Sequence, residues 1–346
     1  MAHRDLIVIG GSAGGIEALQ QLLRQLPANL QAAVLIVVHT SNHPVSVLPN
    51  IMQRAARLPA VHPTDGTPIQ KGRVYIAPPD YHMIVEGNLL RVLQGPRENL
   101  HRPAIDPLFR SAAASYGRRA IGVILTGALD DGTSGLMVVD AHGGAAIVQD
   151  PRTAVFSSMP ESALEQVPGA QALPLQQMGE RLVQLVQEKL PDPVSSGGGW
   201  NARPGVDAEK EIRIAELNMS AVEEENHPGQ PSAFACPDCG GVLWEIDDNG
   251  FLRFRCRVGH AFTARHLGTE QRHAIETALW AALRALEESA SLYSRMAERA
   301  SNSFHVQTAD RFNDRVSDTK ANARVLRDFL LNVNKDEEER FVTEEV

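Results

Sequence analysis

Cysteine is scarce in this chain: three residues in 346, all between Cys236 and Cys256. A disulfide framework therefore does not hold the protein together. Basic runs are missing too. Lysine and arginine total 33 against 42 aspartates and glutamates, a formal net charge of -9, which would repel a phosphate backbone. Nucleic acid is not an expected partner. No apolar run approaches the roughly 20 residues of a membrane-spanning helix, and the opening MAHRDLIVIGG is too short in apolar residues for a signal peptide. The expectation is a cytoplasmic protein without direct membrane insertion.

Hydrophobic residues make up 43% of the chain, enough for one large core and a smaller appendage. Leu6 to Ile9, Ala32 to Val38, Ala120 to Leu125 and Ala145 to Gln149 are short, continuously apolar runs, the composition of strands buried on both faces of a parallel sheet. Helical spacing separates them, through Ile16, Leu19, Leu22 and Leu23, and again from about Ser134 to Ala141 and Leu175 to Leu190. Arg73 to Ala77 reads as another strand, and the runs flanking Glu86-Gly87-Asn88 read as a hairpin. The pattern predicts a doubly wound, mostly parallel α/β sheet over residues 1–190. PDPVSSGGGW then opens a segment rich in proline, glycine and acidic residues, expected to be a flexible linker over 191–232.

The turn Gly10-Gly11-Ser12-Ala13-Gly14-Gly15 contains Gly-x-Ser-x-Gly, whose small residues allow a tight strand-to-helix turn that exposes a hydroxyl. A dinucleotide-binding turn is the rival, but Ser12 replaces the middle glycine, and the second strand ends in His39 where a ribose-binding carboxylate belongs. Strand ends of a parallel sheet share one edge, so His39 would meet Ser12 there as general base. Asp130 or Asp131, after the Ala120 to Leu125 strand, would orient the imidazole; spacing does not separate them. Each residue has a plainer reading: Ser12 and Asp131 as helix caps, His39 as a histidine satisfied at a strand end. The backbone N–H of Ala13, at a helix start, is suited to stabilise an oxyanion.

Taken in order, IVIGGSAGGIEAL, VVHT, GRVYIAPPDYHM, HRPAIDPLFRSAA, GVILTGALDDGTSGL and VFSSMPESAL resemble the catalytic domain of the chemotaxis protein-glutamate methylesterase family over about residues 4–190. The resemblance implies hydrolysis of glutamyl methyl esters on chemoreceptor helices to glutamate and methanol, with deamidation of receptor glutamines in many members. It implies Ser12, His39 and Asp131 as the catalytic residues and a second oxyanion donor at the backbone of Ala128. No cofactor is implied for catalysis. The chain departs from the family pattern at Ala13, where threonine often stands, at Thr40-Ser41 after His39, at Ala128 and at Asp130, where asparagine is usual. Family members commonly carry an N-terminal receiver domain. Here the first strand begins by Leu6, so control by that route is expected to be absent. Loops around His82 and from His101 to Asp106 are expected to line the cleft.

Cys236-x2-Cys239, sixteen intervening residues and Cys256-x3-His260 give the spacing of a structural Cys3His zinc site. Val242 to Ile246 and Phe251 to Arg255 flank a turn as hairpin strands do, which predicts a zinc-ribbon-like module over 233–264. Apolar positions at Ile275, Leu279, Leu283, Leu286 and Leu292, then Phe312, Val316, Val325, Phe329 and Leu330, predict a helical hairpin over 265–335 with an acidic tail at 336–346. The hairpin is a candidate surface for a signalling partner. A catalytically silent scaffold acting through the ribbon and hairpin is the alternative to an esterase.

Overall fold

The computed structural model describes residues 2–39, 46–190, 208–215, 229–248 and 250–344. The chain divides into two compact units, Met1–Leu267 and Gly268–Val346. The first unit opens with β1 (Leu6–Gly11), α1 (Gly15–Gln25), β2 (Ala33–Val38), α2 (Leu48–Ala55), β3 (Ala60–Val61), β4 (Thr67–Pro68) and β5 (Val74–Ile76). It continues through β6 (His82–Glu86), β7 (Leu89–Leu93), α3 (Ile105–Tyr116), β8 (Ala120–Ile124), α4 (Thr133–Ala141) and β9 (Ala145–Gln149). The segments α5 (Ser158–Gln166), β10 (Gln171–Leu173) and α6 (Leu175–Gln187) complete the α/β part.

Seven strands form one sheet in the order β10-β9-β8-β1-β2-β5-β3, and every pairing in it is parallel. Every residue of β1 and β2 is buried, as strands covered on both faces must be. Their side chains alternate between two cores. Ile7, Ile9, Val34 and Ile36 pack with Leu19, Leu22 and Leu23 of α1 and Met178 and Leu182 of α6. Leu6, Val8, Leu35 and Val37 pack with Ile105, Leu108 and Phe109 of α3, Leu136 of α4 and Met159 of α5. The expected hairpin is β6 with β7, antiparallel, to which β4 adds. The helix α3 was not apparent in the apolar spacing, for a visible reason: Ile105 to Ala113 are all buried, Asp106, Arg110 and Ser111 among them, so no amphipathic stripe exists.

Within the segment expected to act as linker, residues Ala208–Ala215 form a helix, α7. Most of the remainder, 191–207 and 216–228, lies outside the described residues. A four-stranded antiparallel sheet follows: β11 (Gln230–Ala235), β12 (Val242–Asp248), β13 (Phe251–Cys256) and β14 (Ala261–Thr263). The expected ribbon strands pair as β12 and β13, from Leu243 opposite Cys256 to Asp248 opposite Phe251.

This small sheet belongs to the first unit, and two kinds of contact explain why. Ala261 forms a parallel bridge with Glu98. Beneath it lies a buried set of charges: Glu98 and Arg110 from the α/β part, Glu211 from α7, and Asp248, Arg253 and Arg255 from the small sheet, each 4% exposed or less. Arg110 Nη2 donates to Glu98 Oε2 at 2.6 Å, Arg253 Nη2 to Glu211 Oε1 at 2.8 Å, and Arg255 Nη2 reaches both Glu98 and Glu211 at 3.1 Å. Asp248 pairs with Arg253. Three guanidinium groups face three carboxylates. Burial raises the Glu211 and Glu98 carboxyls, but Arg253, Arg110 and Arg255 more than offset it and hold both below their usual range.

The second unit holds most of α8 (Ala264–Asn302) and α9 (Val306–Glu344). Leu283, Ala323 and Leu330 form its core, with Leu279, Leu286 and Leu326 beside them, and Tyr293 stacks on Phe312. Two helices stand where the helical hairpin was expected, but the second runs on to Glu344, through most of the stretch expected to be a separate acidic tail. Ile275, Leu292, Val325 and Phe329 fall outside that core and are exposed.

Removing one member of a buried ion cluster strands its partners in low dielectric. Glu98→Gln is expected to cost about 3–5 kcal/mol in urea unfolding of the full chain. A loss below about 1 kcal/mol would rank the cluster with surface ion pairs.

Candidate active site

β1 lies between β8 and β2, so the chain leaves β1 toward one side of the sheet and later returns on the other. Ligands of open α/β sheets bind at such a reversal, beyond the C-terminal strand ends. Ser12 follows β1, His39 follows β2 and Asp131 lies seven residues past β8. The Ser12 turn is tied to both neighbours: Ser12 N–H donates to Thr126 O at 3.0 Å, and His39 N–H donates to Gly11 O at 3.2 Å. Gly127 presses against this turn. A Cβ there would sit 2.0 Å from Met159 Sδ and 2.8 Å from Ser12 Cβ, so only glycine lets the β8 loop approach this closely.

The structure brings Ser12, His39 and Asp131 into one hydrogen-bonded line. His39 Nδ1 lies 3.1 Å from Ser12 Oγ and Nε2 lies 2.8 Å from Asp131 Oδ2. A carboxylate only accepts, so Nε2 carries the proton and donates it, leaving the Nδ1 lone pair for the serine hydroxyl. Neither Ser12 nor Asp131 is a helix cap: Gly14 and Gly132 occupy the N-cap positions of α1 and α4, each with φ above zero and no side-chain bond. The ambiguity between the two aspartates has a geometric answer. Asp131 faces His39, whereas Asp130 faces Thr263 and His266.

Asp131 has no exposed side-chain surface. Asn99 Nδ2 donates to its Oδ1 at 2.9 Å and the Ile105 N–H donates to Oδ2 at 2.7 Å. Burial pushes this carboxyl up, yet the His39 hydrogen bond and charge, the Ile105 amide and Asn99 outweigh it and hold the group ionised, well below the usual carboxylate range. Asp106 behaves oppositely. Burial and the neighbouring Asp131 charge raise it well above its ordinary value. Asn99 Nδ2 bonds Asp106 as well, at 2.9 Å, so one amide ties the two aspartates together. Asn99 and Leu100 both have left-handed backbone, with φ of 51° and 69°.

His101 stacks on His39, ring centroids 3.5 Å apart at 14°, and His266 meets His101 edge-on at 6.2 Å. Burial, then the His39 charge, lowers His101 to about 3, so at neutral pH it is an uncharged plate over the other imidazole. His82 does not line the cleft. It is fully buried, with Nε2 donating to Pro96 O at 2.8 Å and Nδ1 accepting from Ala104 N–H at 3.3 Å. The loop around His82 was expected to line the cleft; the His82 side chain itself is a brace for the loop ahead of α3. Among the described residues, the Ala13 and Ala128 N–H groups have no acceptor. Asn99, the Ile105 amide, Thr263 and His266 had escaped the sequence; the only hint was the unusual Asp130.

Cys236, Cys239, Cys256 and His260 lie together, their ligand atoms within 4.8 Å of one another. Cys239 Sγ is 3.7 Å from Cys256 Sγ, and His260 Nδ1 is 3.6 Å from both Cys236 Sγ and Cys256 Sγ. Tetrahedral ligands at metal distances of about 2.0–2.3 Å lie roughly 3.5–3.8 Å apart, so the cluster has the dimensions to hold a metal ion. Two tight turns present the ligands, with Gly240 and Gly259 at φ of 71° and 110°.

The family described as CheB methylesterase matches residues 7–182. A putative protein-glutamate methylesterase/protein-glutamine glutaminase of Leptospira interrogans serogroup Icterohaemorrhagiae serovar copenhageni is 37% identical over 187 residues, 54% of this chain and 97% of that protein. Protein-glutamate methylesterase/protein-glutamine glutaminase 1 of Rhodospirillum rubrum is 36% identical over 192 residues, 54% of this chain and 49% of its own length. Among solved structures, the CheB methylesterase catalytic domain of Thermotoga maritima aligns with a TM-score of 0.51 and 32% identity, covering 54% of this chain and 100% of that one.

The depressed histidines set a pH dependence. The unfolded chain takes a proton on His82 and His101 near their ordinary value of 6.5, which folded His101 refuses until about 3 and folded His82 also resists. The stability involved is fully present above 6.5 and lost as pH falls below it, a window lying above the ordinary carboxylate range. The urea midpoint at about pH 5.5 is expected to fall below that at about pH 7.5, with a shallower dependence in His101→Asn. Equal wild-type midpoints would contradict this reading.

Proposed function

Since the chain belongs to the CheB methylesterase family, we propose that it hydrolyses glutamyl methyl esters on the helical cytoplasmic surfaces of chemoreceptors, yielding glutamate and methanol. The observation that carries this is the line of hydrogen bonds from Ser12 through His39 to a buried, ionised Asp131.

Ser12 Oγ attacks the ester carbonyl while His39 Nδ1 takes its proton. Asp131 holds the imidazole by Nε2 and stabilises the imidazolium that forms. The tetrahedral oxyanion sits against the Ala13 and Ala128 N–H groups. Collapse expels methoxide, which leaves as methanol with the proton from His39. Water, deprotonated by the same nitrogen, then cleaves the acyl-enzyme and restores Ser12. A glutamine side chain would pass through the same acyl-enzyme with ammonia as leaving group, in keeping with the second half of the relatives' names.

The proposal gives Cys236, Cys239, Cys256 and His260 a zinc ion with four protein ligands, a closed and structural site. Such binding is worth about 10–16 kcal/mol to a module whose buried core is only Cys236, Leu243, Phe254, Cys256, Phe262 and Leu267. Free cysteines suit the reducing cytoplasm, and none of the described helices is long and apolar enough to cross a membrane. Ile275, Leu292, Val325 and Phe329, left outside the hairpin core, favour that hairpin as the surface for a signalling partner.

Methanol release from methylated receptor membranes is expected to fall at least about 10³-fold in Ser12→Ala. Equal release by variant and wild type would replace the esterase with a silent scaffold. Elemental analysis should find one zinc per chain, and a metal-free, fully folded protein would remove the zinc assignment.

A further inference from the structure

We propose that Thr263 and His266, outside the family-matched segment, are positioning residues for the Ser12–His39–Asp131 line, so that the metal-bearing module is a working part of the active site. The inference rests on the serine mechanism proposed above. Three residues separate Cys256 from His260, and β14 starts at the next position, Ala261. That strand grips the loop between β7 and α3 by its backbone. Asn99 N–H donates to Ala261 O at 2.7 Å, and Ala261 N–H donates to Arg97 O at 3.2 Å.

Two routes lead from β14 to the catalytic line. In the first, Thr263 N–H donates to Asn99 Oδ1 at 3.0 Å. A primary amide has one accepting and one donating end. With Oδ1 committed to Thr263, Nδ2 must face Asp131 and Asp106, which it does at 2.9 Å each. Without that N–H the amide is free to turn its oxygen toward the Asp131 carboxylate, a repulsive contact. In the second route, Thr263 Oγ1 donates to Asp130 at 2.6 Å and accepts the His266 N–H at 3.2 Å, while His266 Nδ1 lies 2.9 Å from Asp130. The His266 ring abuts His101, which in turn covers His39.

Leu100 joins the routes to the metal. Its φ of 69° is a conformation that a branched side chain rarely adopts unless its surroundings impose it. What imposes it is the module core, where Leu100 packs against a cluster containing Cys236 and Cys256. Filling the four-ligand site therefore fixes the cluster that fixes Leu100, and its flanking residues Asn99 and His101 follow.

The test uses the full, zinc-loaded chain and methylated receptor membranes. Thr263→Val, which keeps the backbone bond to Asn99 and deletes the hydroxyl, is expected to lower kcat about 10-fold with KM within about twofold, in line with the sensitivity of such sites to small misplacements. Thr263→Ser is expected to return kcat to within about twofold of wild type. In wild-type protein, stripping zinc with a chelator should speed amide exchange at residues 97–101 about 10-fold, reversed by adding zinc, while β1 amides stay protected. Wild-type kcat in Thr263→Val, a change in KM alone, or exchange at 97–101 indifferent to zinc would each overturn the proposal. Ser12→Ala run alongside separates the two readings: full activity there defeats the serine mechanism, and the exchange experiment then decides the linkage to the metal by itself.

Discussion

A carboxylate sealed from water must be surrounded by donors or lose its charge, and much of this structure follows from Asp131 being sealed and charged. It has four donors from three places: the His39 ring after β2, the Asn99 side chain, and the first two amides of α3, Ile105 and, more distantly, Asp106 at 3.4 Å. Each must be held by something else. α3 is held by the sheet's second core, His39 by its backbone bond to β1, and Asn99 by β14 of the small antiparallel sheet. A single buried charge thus draws distant parts of the chain to one point.

Asp130 and Asp131 show how far neighbours in sequence can diverge in role. Both are almost fully buried. One meets the histidine beside the serine, and the other meets a threonine and a histidine more than 130 positions away. The plate of His101 lies between the two histidines, stacked on one and edge-on to the other, so each aspartate meets a different imidazole in one row of three rings.

Sequence reasoning recovered those parts whose physics is local. The strands β1, β2 and β8 are apolar at every position because both faces are covered, and glycine at Gly10, Gly11 and Gly14 marks the turn that carries Ser12. The cysteine and histidine spacing marked a cluster that could hold a metal for the same reason, since two short knuckles set it. What stayed hidden was α3, where Arg110 and Asp106 are buried among apolar residues and erase the helical stripe. Hidden as well were Asn99, Thr263 and His266, whose roles come from tertiary pairings that no spacing encodes. The burial of His82 was hidden for the same reason, since Pro96 and Ala104, which satisfy its two ring nitrogens, come from other parts of the chain.

The balanced cluster of Glu98, Arg110, Glu211, Asp248, Arg253 and Arg255 bears on inheritance. Its first two members fall inside the segment shared with the methylesterase relatives, and the other four lie beyond residue 182, where that match ends. A gene exchange at the family boundary would join this catalytic segment to a neighbour lacking the matching charges, stranding Glu98 and Arg110 on a face shaped to be covered. The segment that can be transferred intact by recombination is therefore longer than the segment that resembles its relatives.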